Sequence, residues 1–258
     1  MEPEIRTLST LGEMEELLRV ADRIWGTPPG SFVSPSFLMA LAHAGGYVAG
    51  AFDTSDRRSR MVGVSFGMLA RHRGDHHRDN WCLHSHITGV ESGLQNSGLG
   101  RRIKQHQRAW SRDHGLAAVT WTFDPLVRRN GWFNLHVLGA VATEYHVDFY
   151  GPLGDEINGV DDTDRLLAHW AVDAPRSTAA ERAPLSPIVP HADDVLVEVP
   201  ADIVALRTTD PDRARAWRRE LRADLAPLLD NGHVSGLTAS GQYVISRRPI
   251  EETLSHVP

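Results

Sequence analysis

The chain has 258 residues, of which 41% are hydrophobic and 23% charged, as in an ordinary globular protein with one large domain or one domain plus a smaller unit. Its net charge of −6 argues against a general nucleic-acid binder, because phosphate contacts need a concentrated basic surface. One cysteine, Cys82, excludes an intrachain disulfide, and neither a signal-peptide pattern nor an apolar run of roughly 20 residues is present. We therefore expect a cytoplasmic protein that binds neither nucleic acid nor membrane.

The first part of the chain predicts two helices among several strands. A strand at residues 5–8 is followed by Thr10 and Glu13, which form a capping-box pattern at the start of a helix of about four turns. Ser34 and Pro35 have the residue types of an N-cap and a first helical position. Further strands are predicted at residues 47–52, 61–69 and 81–90.

A helix from Leu99 to the stop at Gly115 comes next, followed by a strand at residues 117–123. With the strand before it, this helix predicts a right-handed crossover between parallel strands. A weaker helix pattern and two strand candidates follow at residues 127–139, 144–151 and 165–172.

The composition shifts to Ala, Pro, Ser and Arg at residues 174–192, which predicts a linker. Beyond it, a strand at 194–203, a helix opened by Asp210 and Pro211, and a closing hairpin predict a small C-terminal unit. We therefore divide the chain into residues 1–173, a linker at 174–192 and a unit at 193–258. The C-terminal unit could close an acceptor pocket, form a homodimer interface or complete the core.

The stretch GLQNSGLGRR, residues 93–102, joins a predicted strand to a predicted helix. Unpaired N–H groups and the helix dipole at such a turn favour a phosphate, and Gly98 and Gly100 let a ligand approach the backbone. A Walker A loop is excluded because Leu99 and Gly100 stand where Lys and Ser or Thr are required. A dinucleotide fingerprint is disfavoured because Ile103 replaces its third glycine.

Residues 95–100 instead match the pattern Gln/Arg-x-x-Gly-x-Gly/Ala, and Val90 lies five residues before Gln95. With the order of elements over residues 4–171, this resembles the GNAT superfamily of acyl-CoA-dependent N-acyltransferases. The resemblance implies an α/β fold with a mixed, mostly antiparallel sheet, flanking helices and a splayed parallel strand pair. Here that pair would be residues 81–90 and 117–123, with the small C-terminal α/β unit added.

The resemblance also implies a site for acetyl-CoA or another acyl-CoA as co-substrate. Backbone amides from Asn96 to Arg101 would bind its pyrophosphate, and residues 88–90 would pair with the pantetheine arm. Arg101, Arg102 and Lys104 would add positive charge near the phosphates, although basic residues on an exposed helix face are often only solvated. The cofactor-binding candidates are Thr88, Gly89, Val90, Gln95, Asn96, Ser97, Gly98, Leu99, Gly100, Arg101, Asn130 and Asn134.

The segment after residue 123 departs from the usual family pattern. Family members carry a tyrosine, the acid that protonates the departing thiolate, four residues before a glycine. With Gly139 as that glycine, the position is occupied by Leu135, next to His136. Residues 121–126, 130–135 and 138–140 resemble a branch known only as predicted acetyltransferases, so the family is favoured while the standard acid is missing.

The remaining chemistry is attack of a neutral amine on a thioester, which needs alignment, an oxyanion donor and a base. A main-chain N–H near Val90 is a candidate oxyanion donor. Candidate bases are His84 and His86, which share one strand face, and Glu91. The alternative for either histidine, and the one that a histidine in a strand favours, is a hydrogen-bonded interior residue. Asp124 could orient a substrate ammonium or cap the following turn.

A metal site is a further alternative, because several possible ligands lie within fifteen residues of one another. They do not follow the paired spacings typical of zinc sites, and we expect no metal. The residues are His72, His76, His77, Cys82, His84 and His86.

The sequence thus predicts an enzyme that transfers an acyl group, by default acetyl, to a primary amine of a small molecule, with a homodimer left open. An amino acid N-succinyltransferase and a non-catalytic CoA-binding module with the same fold are the alternatives.

Overall fold

The computed structural model describes residues 3–28, 30–55, 59–71, 81–151 and 162–257. The chain divides into two units, one extending to Val119 and the other beginning at Thr120. Within the described ranges, no helix is both long enough and apolar enough to cross a membrane.

The first unit is a four-stranded antiparallel sheet with helices on both faces. Its strands follow each other in space as in the chain, in the order β1-β2-β3-β4. Helices α1 and α2 pack on one face of this sheet, and α3 packs on the other. Neighbouring strand residues point to opposite faces, so Phe52 joins the apolar cluster of α1 and α2, whereas Ala51 joins that of α3. The elements are β1 Glu4–Thr7, α1 Leu11–Trp25, α2 Pro35–His43, β2 Tyr47–Asp53, β3 Arg60–Arg71, β4 Trp81–Val90 and α3 Leu99–Asp113.

Local sequence signals determine where these helices begin. The capping box of α1 is confirmed: Glu13 N donates to Thr10 Oγ1 at 3.4 Å, and Thr10 N donates to Glu13 Oε2 at 3.0 Å. Ser34 Oγ accepts from Phe37 N at 3.1 Å, and Pro35 is the first residue of α2. These short-range bonds satisfy N–H groups that no helical carbonyl can reach, which is why the sequence predicts them.

A β-bulge interrupts the pairing of β3 and β4. Phe66 lies opposite Ile87 and Gly67 opposite Ser85, so His86 is an extra residue in β4. As a result, His86 and Ile87 both contact the cluster around Phe66 on the α1 and α2 face. A regular strand would alternate these two side chains between faces.

The second unit continues with strands in the spatial order β5-β7-β6-β9-β10-β8. The neighbouring pairs β6–β7, β6–β9, β9–β10 and β10–β8 are antiparallel. The C-terminal hairpin therefore extends the sheet beside β6. The elements are β5 Ala118–Phe123, α4 Arg128–Trp132, β6 Val141–His146, β7 Arg165–Ala171, α5 Pro175–Arg182, β8 Val195–Val197, α6 Ile203–Thr209, α7 Pro211–Leu225, β9 His233–Leu237, β10 Tyr243–Ser246 and α8 Ile250–Ser255.

Three predicted segments differ in detail. The strand predicted at 144–151 ends at His146, because a turn with Asp148 at a φ of 44° follows. Residues 175–182, within the predicted linker, form α5. The strand predicted at 194–203 is shorter because the Asp202 side chain caps α6, accepting from Ala205 N at 3.0 Å. The division into domains at 173 and 193 stays a prediction.

The close packing at the bulge predicts that a side chain added at Gly67 destabilises the protein. A Cβ there would lie 2.6 Å from His84 O and 3.0 Å from Ser85 Cα, backbone atoms that cannot turn away. We expect Gly67→Ala to lower the free energy of unfolding by about 1–3 kcal/mol, the usual cost of overpacking, as measured by chemical denaturation. The matched control is Gly12→Ala, where no atom lies within 4 Å of the added Cβ. Equal stability of the two variants would contradict the close approach at Gly67.

Candidate functional site

The loop before α3 holds its backbone in the left-handed region at two positions. Asn96 has a φ of 62°, and Gly98, the N-cap residue of α3, has a φ of 84°. Ser97 supports the turn, since its hydroxyl donates to Leu94 O at 2.6 Å and accepts from Leu99 N at 3.3 Å. The glycine at 98 is required by this conformation, which residues with a Cβ rarely adopt.

The first turn of α3 lacks acidic residues and carries Arg101 and Arg102. Cations there oppose the helix dipole, so the turn would be stabilised by an anion in front of it. A Cβ added at Gly98 or Gly100 would meet no atom within 4 Å, so the space beside both residues is open. This end of the helix therefore combines basic side chains with open space, and Arg102 Nη2 donates to Pro3 O at 2.7 Å.

The end of β4 is closed on one face by α1. A Cβ at Gly89 would lie 2.4 Å from the Trp25 ring and 3.1 Å from Ile24 Cγ2. Trp25 in turn packs edge to face against Phe32, with ring centroids 5.5 Å apart. Gly89 is thus needed for helix packing, and only its backbone is available to a ligand.

His84 and His86 lie on the same face of β4, on either side of Ser85. Burial lowers the pKa of His84, and the nearby His86 and Lys104 lower it further. His86 is exposed at its edge, yet its packing against Phe66 desolvates the ring, and burial lowers its pKa as well. Both imidazoles are therefore neutral at pH 7 and able to accept a proton.

Glu91 lies at the end of β4 in contact with two arginines. Its carboxylate accepts from Arg23 at 3.2 Å and from Arg60 at 2.5 Å. Partial burial raises the pKa of Glu91, but the hydrogen bonds from Arg60 and Arg23 outweigh it, so the pKa is lowered. A carboxylate held in this way is a weaker base than either histidine.

The side chain of Lys104 points toward the sheet and not toward the loop before α3. Its side chain is only 4% exposed, and its Nζ donates to Gln107 Oε1 at 2.6 Å and to Ser85 Oγ at 3.2 Å. Burial lowers the pKa of Lys104 well below its ordinary value. The expectation of added charge near the phosphates is wrong for this residue, because α3 directs it at the sheet.

In the second unit, Asp124 is held by two arginines. Its carboxylate accepts from Arg218 at 2.8 and 3.1 Å, from Arg207 at 2.6 Å and from Leu126 N at 3.0 Å. Burial alone would raise its pKa, but Arg218 and Arg207 hold the pKa at about 2. The bond to Leu126 supports the turn-capping alternative, and a role toward a substrate ammonium stays a prediction.

The other candidates of this unit are divided between core and surface. Asn134 is buried and accepts from Trp121 Nε1 at 3.2 Å, whereas Asn130 is exposed on α4. Leu135 is fully buried. His136 is also buried; its Nε2 accepts from Leu237 N at 2.8 Å and its Nδ1 contacts Ser186 O at 3.0 Å. Burial and Arg176 lower the pKa of His136 to about 4, so at pH 7 the ring is neutral and lacks the acidic imidazolium proton that a thiolate would take.

Sequence reasoning missed a set of buried polar side chains between α3 and the sheet: Ser65, Ser85, Lys104 and Gln107. Hydrophobic periodicity identifies the apolar face of a helix or strand, but it does not show which polar residues are buried and hydrogen-bonded to each other. In the described residues, no three His, Cys, Asp or Glu side chains are arranged to hold a metal ion; His72, His76 and His77 lie outside those residues.

The buried ion pairs of Asp124 predict that removing its charge destabilises the protein. Replacing it with Asn leaves Arg218 buried without its carboxylate, and loss of one partner of a buried pair costs about 3–5 kcal/mol. We expect Asp124→Asn to lower the free energy of unfolding by that order, measured by denaturant titration. Asp212→Asn is the control, since Asp212 pairs with Arg215 in the solvent and exposed pairs contribute about 0–1 kcal/mol. A stable Asp124→Asn variant would contradict the structural role.

Comparisons with known proteins agree with this architecture. No protein-family model matches the chain, and no curated protein matches it. Among solved structures, the ribosomal-protein-S18-alanine N-acetyltransferase of Escherichia coli superimposes with a TM-score of 0.50 at 14% identity, over 66% of this chain and 94% of that protein. The ribosomal-protein-S5-alanine acetyltransferase of Vibrio fischeri gives a TM-score of 0.50 at 16% identity, over 67% and 94%. A GNAT-family acetyltransferase of Streptococcus pneumoniae gives 0.49 at 15% identity, over 65% and 98%. The mixed, mostly antiparallel α/β fold of this chain is the GNAT fold.

Proposed function

We propose that the protein is an acyl-CoA-dependent N-acyltransferase that transfers an acyl group, by default acetyl, to a primary amine of a small molecule. The observation that carries this proposal is the start of α3. There a Gln95–Gly100 motif, a left-handed Gly98 and open space beside Gly100 occur within a GNAT fold.

Backbone N–H groups of residues 96–101 would hold the pyrophosphate, although Ser97 N and Leu99 N already donate within the turn to Leu94 O and Ser97 Oγ, each at 3.3 Å. Arg101 would add charge to that interaction. The backbone of residues 88–90 would pair with the pantetheine arm. The co-substrate supplies the thioester. Asn130 and Asn134 stay predictions as cofactor contacts; within the second unit Asn130 is exposed on α4, while Asn134 already accepts a bond from Trp121.

The transfer requires a neutral amine, and the histidines of β4 are the proposed bases. His84 or His86 would take a proton from the substrate ammonium, directly or through a water. A main-chain N–H near Val90 would donate to the oxyanion formed as the amine attacks the thioester carbonyl. Leu135 stands in place of the usual tyrosine, and His136 is a neutral imidazole at pH 7. The thiolate would therefore take its proton from water or from an acid outside this motif.

The cofactor site is tested by Gly98→Glu. A carboxylate at this position should repel the pyrophosphate and fill the open space, so we expect CoA to stabilise the wild-type protein against heat but not the variant. Gly12→Glu is the control for a carboxylate added near a helix start with no atom near its Cβ, and Gly100→Glu repeats the test in the first turn of α3 without the left-handed φ of Gly98. Equal stabilisation of Gly98→Glu and Gly12→Glu by CoA would contradict the assigned site.

Turnover separates the enzyme from a binding module. We expect release of free thiol from acetyl-CoA with at least one member of a panel of small amines, amino acids and an N-terminal alanine peptide. Because burial lowers the pKa of His84 and His86, activity should be full at pH 7 and should fall only at a pH below the ordinary histidine value of about 6.5. If the fall in activity at low pH disappears in His84→Ala or in His86→Ala, that histidine is the base. His43→Ala is the control, because His43 is exposed on α2.

Two results would overturn parts of this proposal. Binding of CoA without thiol release from acetyl-CoA or succinyl-CoA for any acceptor would favour the binding module. Preference for succinyl-CoA with an amino acid would favour the succinyltransferase.

A further inference from the structure

Five polar side chains of the first unit form a closed ring between α3 and the sheet. Lys104 Nζ donates to Ser85 Oγ at 3.2 Å and to Gln107 Oε1 at 2.6 Å, and Gln107 Nε2 donates to Ser65 Oγ at 3.3 Å. The ring closes on Thr88, whose Oγ1 lies 2.8 Å from Ser65 Oγ and 3.4 Å from Ser85 Oγ.

The bulge in β4 makes this ring geometrically feasible. Ser85 and Thr88 are three residues apart and would point to opposite faces of a regular strand. Because His86 is an extra residue, Ser85 and Thr88 both face α3.

Burial leaves one member of the ring accessible. Ser65 and Gln107 are 0% exposed, and Ser85 and Lys104 are 4% exposed. Thr88 alone among the five is partly exposed, and it lies in the stretch of β4 proposed to pair with the pantetheine arm. Any effect of the ring on a ligand must therefore act through Thr88.

The direction of hydrogen bonding also leads to Thr88. The nitrogens of Lys104 and Gln107 serve as donors, and a lysine amine keeps two N–H groups even when neutral. Each of the two serines therefore accepts one bond from a nitrogen and has its own proton to pass on. If both serines donate to Thr88, its oxygen accepts twice and its proton must go to an acceptor outside the ring. Chains aligned in this way polarise each other and strengthen the last donor.

We propose that the Thr88 hydroxyl donates a hydrogen bond to a carbonyl oxygen of bound acyl-CoA, and that Lys104 and Gln107 are positioning residues that orient this donor. The inference rests on the proposed function, since it presumes that acyl-CoA binds along the end of β4. The carbonyl belongs either to an amide of the pantetheine arm or to the thioester, and the ligands used in the test distinguish these two sources.

The test compares dissociation constants of full-length variants for three ligands: acetyl-CoA, CoA, and adenosine 3′,5′-bisphosphate, which lacks the pantetheine arm. Thr88→Val is close in shape but has no hydroxyl, whereas Thr88→Ser keeps it. Loss of one such bond should weaken binding about 5- to 10-fold. We expect Thr88→Val to lose this affinity for acetyl-CoA while adenosine 3′,5′-bisphosphate binds unchanged, and Thr88→Ser to stay near wild type. Lys104→Met should reproduce part of the loss, and it also serves as the test if Thr88→Val fails to fold.

The ligands assign the source of the carbonyl. An equal loss for CoA and acetyl-CoA places it in the pantetheine arm, and a loss confined to acetyl-CoA, with a lower kcat, places it in the thioester. Unchanged binding of all ligands by Thr88→Val and Lys104→Met would overturn the inference. An equal loss for adenosine 3′,5′-bisphosphate would also overturn it, because it would indicate a structural role alone. Failure of the wild-type protein to bind CoA would overturn the proposed function itself.

Discussion

One extra residue in β4 determines what the rest of the first unit can do. The bulge at His86 turns two consecutive side chains toward α1 and α2 and brings Ser85 and Thr88 together on the α3 face. Gly67 is the residue opposite this distortion that leaves room for it. His84 and His86, two residues apart, share one face as in a regular strand, and the bulge gathers the buried polar ring on the other face.

The ring also explains why a lysine is tolerated beneath the sheet. Burying a lysine side chain costs free energy unless its N–H groups find hydrogen-bond acceptors and the ammonium can lose a proton to become neutral. Lys104 meets the first condition through Ser85 and Gln107, and its lowered pKa meets the second. Within α3, Arg102 of the first turn donates to Pro3 O at 2.7 Å, whereas Lys104 and Gln107, further along the helix, bond Ser85 of β4 and Ser65 of β3.

The second unit uses its charges mainly for structure. Arg218 and Arg207 meet at Asp124, and Arg176 is buried with its Nη2 on Leu135 O at 3.2 Å and Ser235 O at 2.7 Å. The two bonds of Arg176 join α5 to the segment after α4 and to β9. Strand β9 also pairs with β6. The C-terminal strands therefore extend the sheet of this unit.

The sequence by itself determined the features that depend on neighbours within a turn or two: the capping box at Thr10, the Ser34 cap, the glycine turn before α3 and the order of elements typical of the GNAT fold. It could not determine which polar residues face inward. Lysine is usually a surface residue, so the sequence does not show that Lys104 is buried. The arginine partners of Asp124 lie more than 80 positions away in the chain. Register shifts such as the bulge, and pairings such as Asp124 with Arg218, depend on contacts between distant segments, so only the tertiary structure decided them.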